Sequence, residues 1–134
     1  MSTRTILMLA SLLLLVSEAR LLGQGTTKAT PLLTKDLAGV PGKEVSMLTV
    51  EFAPGQASSP HRHNASTFVY VLEGSVVMQV KGSKPVTLGV GDTFYESPAD
   101  VHVVSKNVSA TLPAKILVVF VKEKGAPGSV PVKE

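Results

Sequence analysis

The sequence predicts an all-β domain, a sandwich or barrel built from about seven or eight short strands. Three observations carry that expectation. Apolar and polar residues alternate at roughly period two over much of the chain beyond residue 45. Turn-forming clusters recur at intervals of about 8–12 residues. No segment shows the 3.6-residue period of an amphipathic helix.

The elements follow in order. Residues 26–40 are largely polar with one apolar patch at Pro31, Leu32 and Leu33, and read either as a disordered leader or as an extra edge strand. Residues 45–52 alternate, and residues 53–60 form a loop by composition. Residues 67–72 are aromatic and β-branched, and Glu73 with Gly74 ends that strand. Residues 75–80 and 85–88 flank Gly82 and Ser83, the chemistry of a type II′ hairpin with glycine first. Turns at residues 89–92 and 97–100 bracket a strand at 93–96 and introduce another at 101–104. The apolar run at 114–122 implies a strand covered on both faces. No repeat or linker divides the chain. The expected organisation is a leader or edge strand at 26–44, one β domain at 45–123, and a Pro/Gly-rich tail at 124–134.

Residues 1–25 read differently. Arg4 precedes an apolar run at 6–16, shorter than the roughly 20 residues a membrane span needs and suited to a secretory signal peptide. Cleavage is expected after Ala19 or after Gly25, the second preferred because Leu21 and Leu22 would otherwise open the mature chain. The expected location is therefore periplasmic or secreted, with no stable membrane anchor after cleavage.

The chain has no cysteine, so even outside the cytoplasm its core must hold it together. Around a hundred residues are enough for that. The formal charge of +3 becomes +2 once Arg4, Glu18 and Arg20 are removed. Its lysines are scattered singly, and the few aromatic residues make no stacking ladder. Nucleic acid is excluded as a partner on both counts.

All three histidines fall in one pattern: His61, His63 and, farther on, His102. Residues two apart on an extended segment share a face, so His61 and His63 can present a pair of imidazoles. His102 lies in a strand after a turn and can supply a third. Such a set suits a divalent transition metal and is compatible with Zn, Fe, Cu or Ni. A nucleophile elbow, a cysteine nucleophile and a phosphate-binding glycine loop are all missing from the sequence.

The surrounding spacing resembles the two motifs of the cupins. Gly55, His61, His63 and Gly74 match the first motif, in which Thr67 takes the position of the family's glutamate. Gly91, Asp92, Pro98, His102 and Asn107 resemble the second, and residues 70–74 read like a phrase of small bacterial cupins. The resemblance is to small single-domain cupins of type 2, RmlC-like, and implies a double-stranded β-helix, or jelly roll, with a metal in the barrel.

What it implies for the site is a ligand set of His61, His63 and His102, completed by water or substrate. A neutral threonine hydroxyl at Thr67 is a poor ligand, which leaves the metal's +2 charge uncompensated. Glu96 and Asp100 stand at or in a turn and are expected to face solvent, the alternative being that one of them reaches inward from the second-motif strand as a carboxylate ligand. Thr67, Tyr70 and Tyr95 are the candidate pocket residues, and Arg62 should point to the opposite face into water. Gly55, Gly74 and Gly91 are assigned to turns, and Asn107 to capping one.

Two classes of function stay open. One is a metal-dependent enzyme acting on a small organic molecule, dioxygenase-like by resemblance to quercetinase-type cupins, with isomerisation or decarboxylation next. The other is a non-catalytic module that binds a small ligand or a metal, or a degenerate cupin that binds no metal. By the same resemblance the chain is expected to form a homodimer, with residues 31–37 available as a swapped edge strand.

Overall fold

The computed structural model describes residues 27–133. The expected signal peptide and both candidate cleavage sites lie outside the described residues. Those described form ten strands: β1 Lys28–Asp36, β2 Lys43–Phe52, β3 His61–Arg62, β4 Ser66–Glu73, β5 Ser75–Val80, β6 Val86–Gly89, β7 Thr93–Glu96, β8 His102–Asn107, β9 Ala114–Glu123 and β10 Val130–Pro131. They pair antiparallel throughout, in two sheets of order β1-β2-β9-β4-β7 and β10-β3-β8-β5-β6. From β2 onward the chain changes sheet at every connection except the β5–β6 hairpin. That winding is a double-stranded β-helix, the all-β jelly roll expected.

The alternation in sequence sets which face meets the core. In β9 the residues Ala114, Ile116, Val118, Phe120 and Lys122 are buried, and those between them are half-buried. Burial on both faces is therefore corrected: β9 is central in its sheet, but its outer face is only partly covered. Phe52, Val71, Val76 and Met78 complete the middle of the core, each at most 1% exposed. Without disulfides these side chains carry the fold, each contributing about 1.5–3 kcal/mol on burial.

The leader is an edge strand, paired along nearly its whole length with β2 of its own chain. A shift of register between Pro31 and Leu33 absorbs the proline, which has no N–H to donate. The tail is also ordered in place: Val130 and Pro131 pair with Arg62 and His61 as an added strand. A Cβ on Gly128 would meet the Phe120 ring at 3.1 Å, so the tail packs tightly there.

Two turns differ in detail from expectation. The β5–β6 loop closes through the Ser83 N–H donating to the Val80 carbonyl, with Gly82 third in the turn at φ 85°. This is the position that needs positive φ in a type II turn, so the two-residue II′ loop is replaced by a longer one. Gly74 has φ 70°, and an added Cβ would lie 2.7 Å from the Pro113 carbonyl oxygen. Only glycine fits between β4 and β5.

Asn107 does more than cap one turn. Fully buried, it donates through Nδ2 to the carbonyls of Ala53 and Leu112 at 3.1 and 2.7 Å, and accepts from the Ser109 N–H at 2.9 Å. It ties the β2–β3 loop to the β8–β9 loop. A second buried polar pair, Lys122 with Glu44, closes the other end of the barrel. No helix among the described residues is long and apolar enough to cross a membrane.

Candidate metal centre

The histidines converge because of strand register. His61 on β3 is paired directly with His102 on β8. His63 follows β3, just before Asn64, which takes the left-handed conformation at φ 49° and turns the chain toward β4. Ring centroids lie 4.8 Å apart for His61 and His63, and 5.0 Å for His61 and His102. One nitrogen from each of the three falls within 4.8 Å of the others.

Two of the rings are aimed by backbone carbonyls. His61 Nδ1 lies 2.8 Å from the Ser59 oxygen, and His63 Nδ1 lies 2.8 Å from the Gly128 oxygen. A carbonyl only accepts, so each Nδ1 carries the proton and each Nε2 keeps its lone pair for a ligand. Burial holds both imidazoles below their ordinary pKa, against the opposing effect of those carbonyls. The neutral form that binds metal is thereby favoured. The Gly128 contact comes from the C-terminal segment, which the sequence left outside the domain.

Glu96 is a correction to the expected site. Its side chain is 1% exposed and points into the barrel, with Oε1 3.1 Å from His102 Nδ1 and Oε2 3.8 Å from His63 Nε2. Neither carboxyl oxygen has a hydrogen-bond partner, and neither does either nitrogen of His102. The signal was present in the alternation of β7: Phe94 packs on the core, so Glu96, two residues on, must share its face. Proximity to the Ser97–Asp100 turn concealed it. Asp100 does belong to that turn, its Oδ2 accepting from the Ser97 N–H at 2.6 Å.

The other candidates divide. Thr67 is fully buried and lines the cavity, with its hydroxyl directed at the Ala65 carbonyl 3.4 Å away. Tyr70 and Tyr95 do not reach it. They are 44% and 52% exposed on the outer face of the first sheet, because they alternate with the inward residues Val69, Val71, Phe94 and Glu96. Arg62 does not line the cavity, but its Nε is buried without a partner instead of solvated.

The cavity has a volume of about 340 Å³. Its walls are largely apolar, including Leu48, Val50, Phe52, Met78, Ile116 and Val118. His61, His63, His102, Glu96 and Thr67 form its polar end. Among the described residues, no lysine or arginine lines it. The donors fit a divalent transition metal: aimed imidazoles, a buried carboxyl without a partner, and no competing cation.

The family profile of the cupin domain matches residues 48–120, over half of the chain. The protein belongs to the cupin family.

Solved structures agree with the fold. An oxalate oxidase in complex with the substrate analogue glycolate is 30% identical at a TM-score of 0.60, covering 79% of this cupin and 55% of that chain. The DMSP lyase DddQ of Ruegeria pomeroyi DSS-3 is 19% identical at a TM-score of 0.63, covering 79% and 51%. The TT1209 protein of Thermus thermophilus is 30% identical at a TM-score of 0.55, covering 72% and 83%. The chain thus spans about half the length of the first two. No functionally curated protein matches it.

Proposed function

We propose that this cupin is an exported metal-dependent protein that acts on a small organic molecule bearing an oxygen donor on an apolar body. The observation that carries this reading is the opening of the three-histidine cluster onto an apolar cavity of about 340 Å³. Pockets that enclose small molecules start at about 300 Å³ and pair apolar walls with a few polar groups. A metal held by His61, His63 and His102 would supply Lewis acidity and open positions for the substrate's oxygen. The protein's own residues would hold the ion, exclude water and seat the apolar part of the substrate.

The neighbour named as an oxalate oxidase, 30% identical, supports oxidation chemistry on a small carboxylate. The cavity lining argues for a larger and less polar molecule than oxalate, which would place two charged groups among Leu48, Val50 and Ile116. Oxygenation is the leading reaction class. The test is to load the protein with Fe, Mn, Zn, Cu and Ni in turn and follow oxygen uptake and product formation with a panel of apolar carboxylates and enols. Turnover that requires both a metal and His63 supports the reading; binding without turnover favours a non-catalytic module. The latter reading has its own support, since among the described residues Glu96 and the histidines are the only titratable groups lining the cavity.

Export is supported by Arg4 and the apolar run at 6–16. Cleavage after either Ala19 or Gly25 leaves β1, which starts at Lys28, intact. Amino-terminal sequencing of protein recovered from the periplasm or medium should read from Arg20 or Thr26. A homodimer is supported by the outer face of the first sheet, where Leu33, Phe68, Tyr70 and Tyr95 are exposed beside Leu117 and Val119. A broad apolar sheet face is matched best by an identical face across a two-fold axis. Light scattering should give a dimer for the native chain and a monomer for Phe68→Glu.

A further inference from the structure

We infer that Glu96 supplies a fourth protein donor to the metal centre, a carboxylate oxygen delivered from β7, and that positions 67 and 96 are interchangeable as its source. The inference rests on the metal-binding reading above. Three observations carry it.

The first is distance. Two donors bound to one ion at about 2.1 Å lie about 3.0–3.4 Å apart at octahedral or tetrahedral angles. Glu96 Oε1 meets that spacing at 3.1 Å from His102 Nδ1, while Oε2 stands a few tenths of an ångström outside it, 3.8 Å from His63 Nε2, the nitrogen left free by the Gly128 carbonyl.

The second is what the contact is not. At 3.1 Å the Glu96–His102 pair is close enough for a hydrogen bond, yet its geometry does not make one, and all four polar atoms of the two side chains lack partners. A carboxylate that served only to orient His102 would accept the ring N–H in line. Groups that point instead toward a shared centre leave their atoms in this state. Buried polar atoms are rarely abandoned, because each unmet group costs about 1–3 kcal/mol.

The third is register. Glu96 on β7 is paired with Thr67 on β4, and both side chains enter the barrel with at most 1% exposure. Directly opposed residues on antiparallel strands have Cβ atoms about 4.5–5.5 Å apart on the same face. A glutamate side chain spans that difference, so a carboxylate rooted at either position reaches the same point.

The charge at the centre changes accordingly. A site of three imidazoles leaves a divalent ion's +2 intact, whereas one carboxylate reduces it to +1. A hard ion such as Mn²⁺ gains most from the oxygen donor.

The test uses Mn²⁺ alone as the probe, titrated into the native protein, Glu96→Gln and the exchange variant Thr67→Glu/Glu96→Thr, with free Mn²⁺ read by electron paramagnetic resonance. Loss of a residue that merely orients a ligand weakens metal binding about 10–100-fold, so loss of a ligand should cost on the order of 100-fold or more. The exchange variant should recover most of that loss. Apo Glu96→Gln should melt at or above the native temperature, since the amide keeps the shape and removes a buried carboxyl without a partner. A crystal of the Zn²⁺ complex should place a Glu96 oxygen at about 2.0–2.2 Å from the ion.

Native affinity in folded Glu96→Gln would overturn the inference and leave the metal reading standing. A Glu96 oxygen beyond bonding distance of bound Zn²⁺ would do the same. A folded exchange variant that recovers nothing would overturn the equivalence of the two positions. No Mn²⁺ or Zn²⁺ bound by the native protein would sink the metal reading together with the inference.

Discussion

Thr67 and Glu96 face each other across β4 and β7, both sealed from solvent, and the acidic group stands on β7, at the residue before a turn. The pairing separates two residues that look equally central to the site. Thr67 lies against the cavity, but its hydroxyl makes one long contact with the carbonyl of Ala65, two residues earlier. Glu96 holds two unpartnered oxygens beside two histidines.

Thr67→Val should therefore be nearly silent. One hydrogen bond at 3.4 Å is lost and the shape is kept, a change of less than about 1 kcal/mol. Thermal melting and metal titration should both stay close to native, in contrast with Glu96→Gln.

Asn107→Leu should be among the more damaging substitutions away from the metal. It removes the donors to Ala53 and Leu112 and the acceptor for Ser109, inside a fully buried site. The expected cost is about 2–4 kcal/mol, or a fall in melting temperature of more than about 10 °C for a domain of this size. Calorimetry of the apo protein measures it. Metal stoichiometry in the surviving folded fraction should remain native.

Gly74→Ala should destabilise for two independent reasons. The backbone sits at φ 70°, and the new methyl would lie 2.7 Å from the Pro113 carbonyl oxygen, which belongs to backbone and cannot swing aside. A loss of about 1–3 kcal/mol is expected from strain alone. Urea unfolding should show a lower midpoint with an unchanged slope.

The apo protein should lose stability on acidification through the ordinary histidine range. Burial keeps the folded His61 and His63 below that range, so the unfolded chain takes up protons the folded state refuses. Their contribution is full above the unfolded value of about 6.5 and declines as pH falls below it, until the lowered folded values are reached. Melting of chelator-treated protein between about pH 7.5 and pH 5 should show this decline, and His63→Ala should flatten it.

The jelly roll was legible because alternation, turn spacing and a lack of helical period all point to the same architecture. The histidine cluster was legible because H-x-H fixes two side chains on one face wherever the segment is extended. Glu96 was obscured by the turn at Ser97, even though Phe94 two residues earlier marks its face. Tyr70 and Tyr95 were misplaced for the complementary reason: residue type suggested a pocket, while the alternation sends both outward. The segment after Lys124 reads as a tail by composition. Its role depends on a carbonyl of Gly128 meeting His63, a main-chain contact that no side-chain pattern announces.

The most direct test of the metal centre is stoichiometry. Protein purified without an affinity tag, stripped with chelator and dialysed against limiting Zn²⁺ or Mn²⁺, should retain one ion per chain by elemental analysis. The triple variant His61→Ala/His63→Ala/His102→Ala should retain none. An empty native protein, or equal metal in the triple variant, would contradict the assignment of these three histidines as the heart of the site.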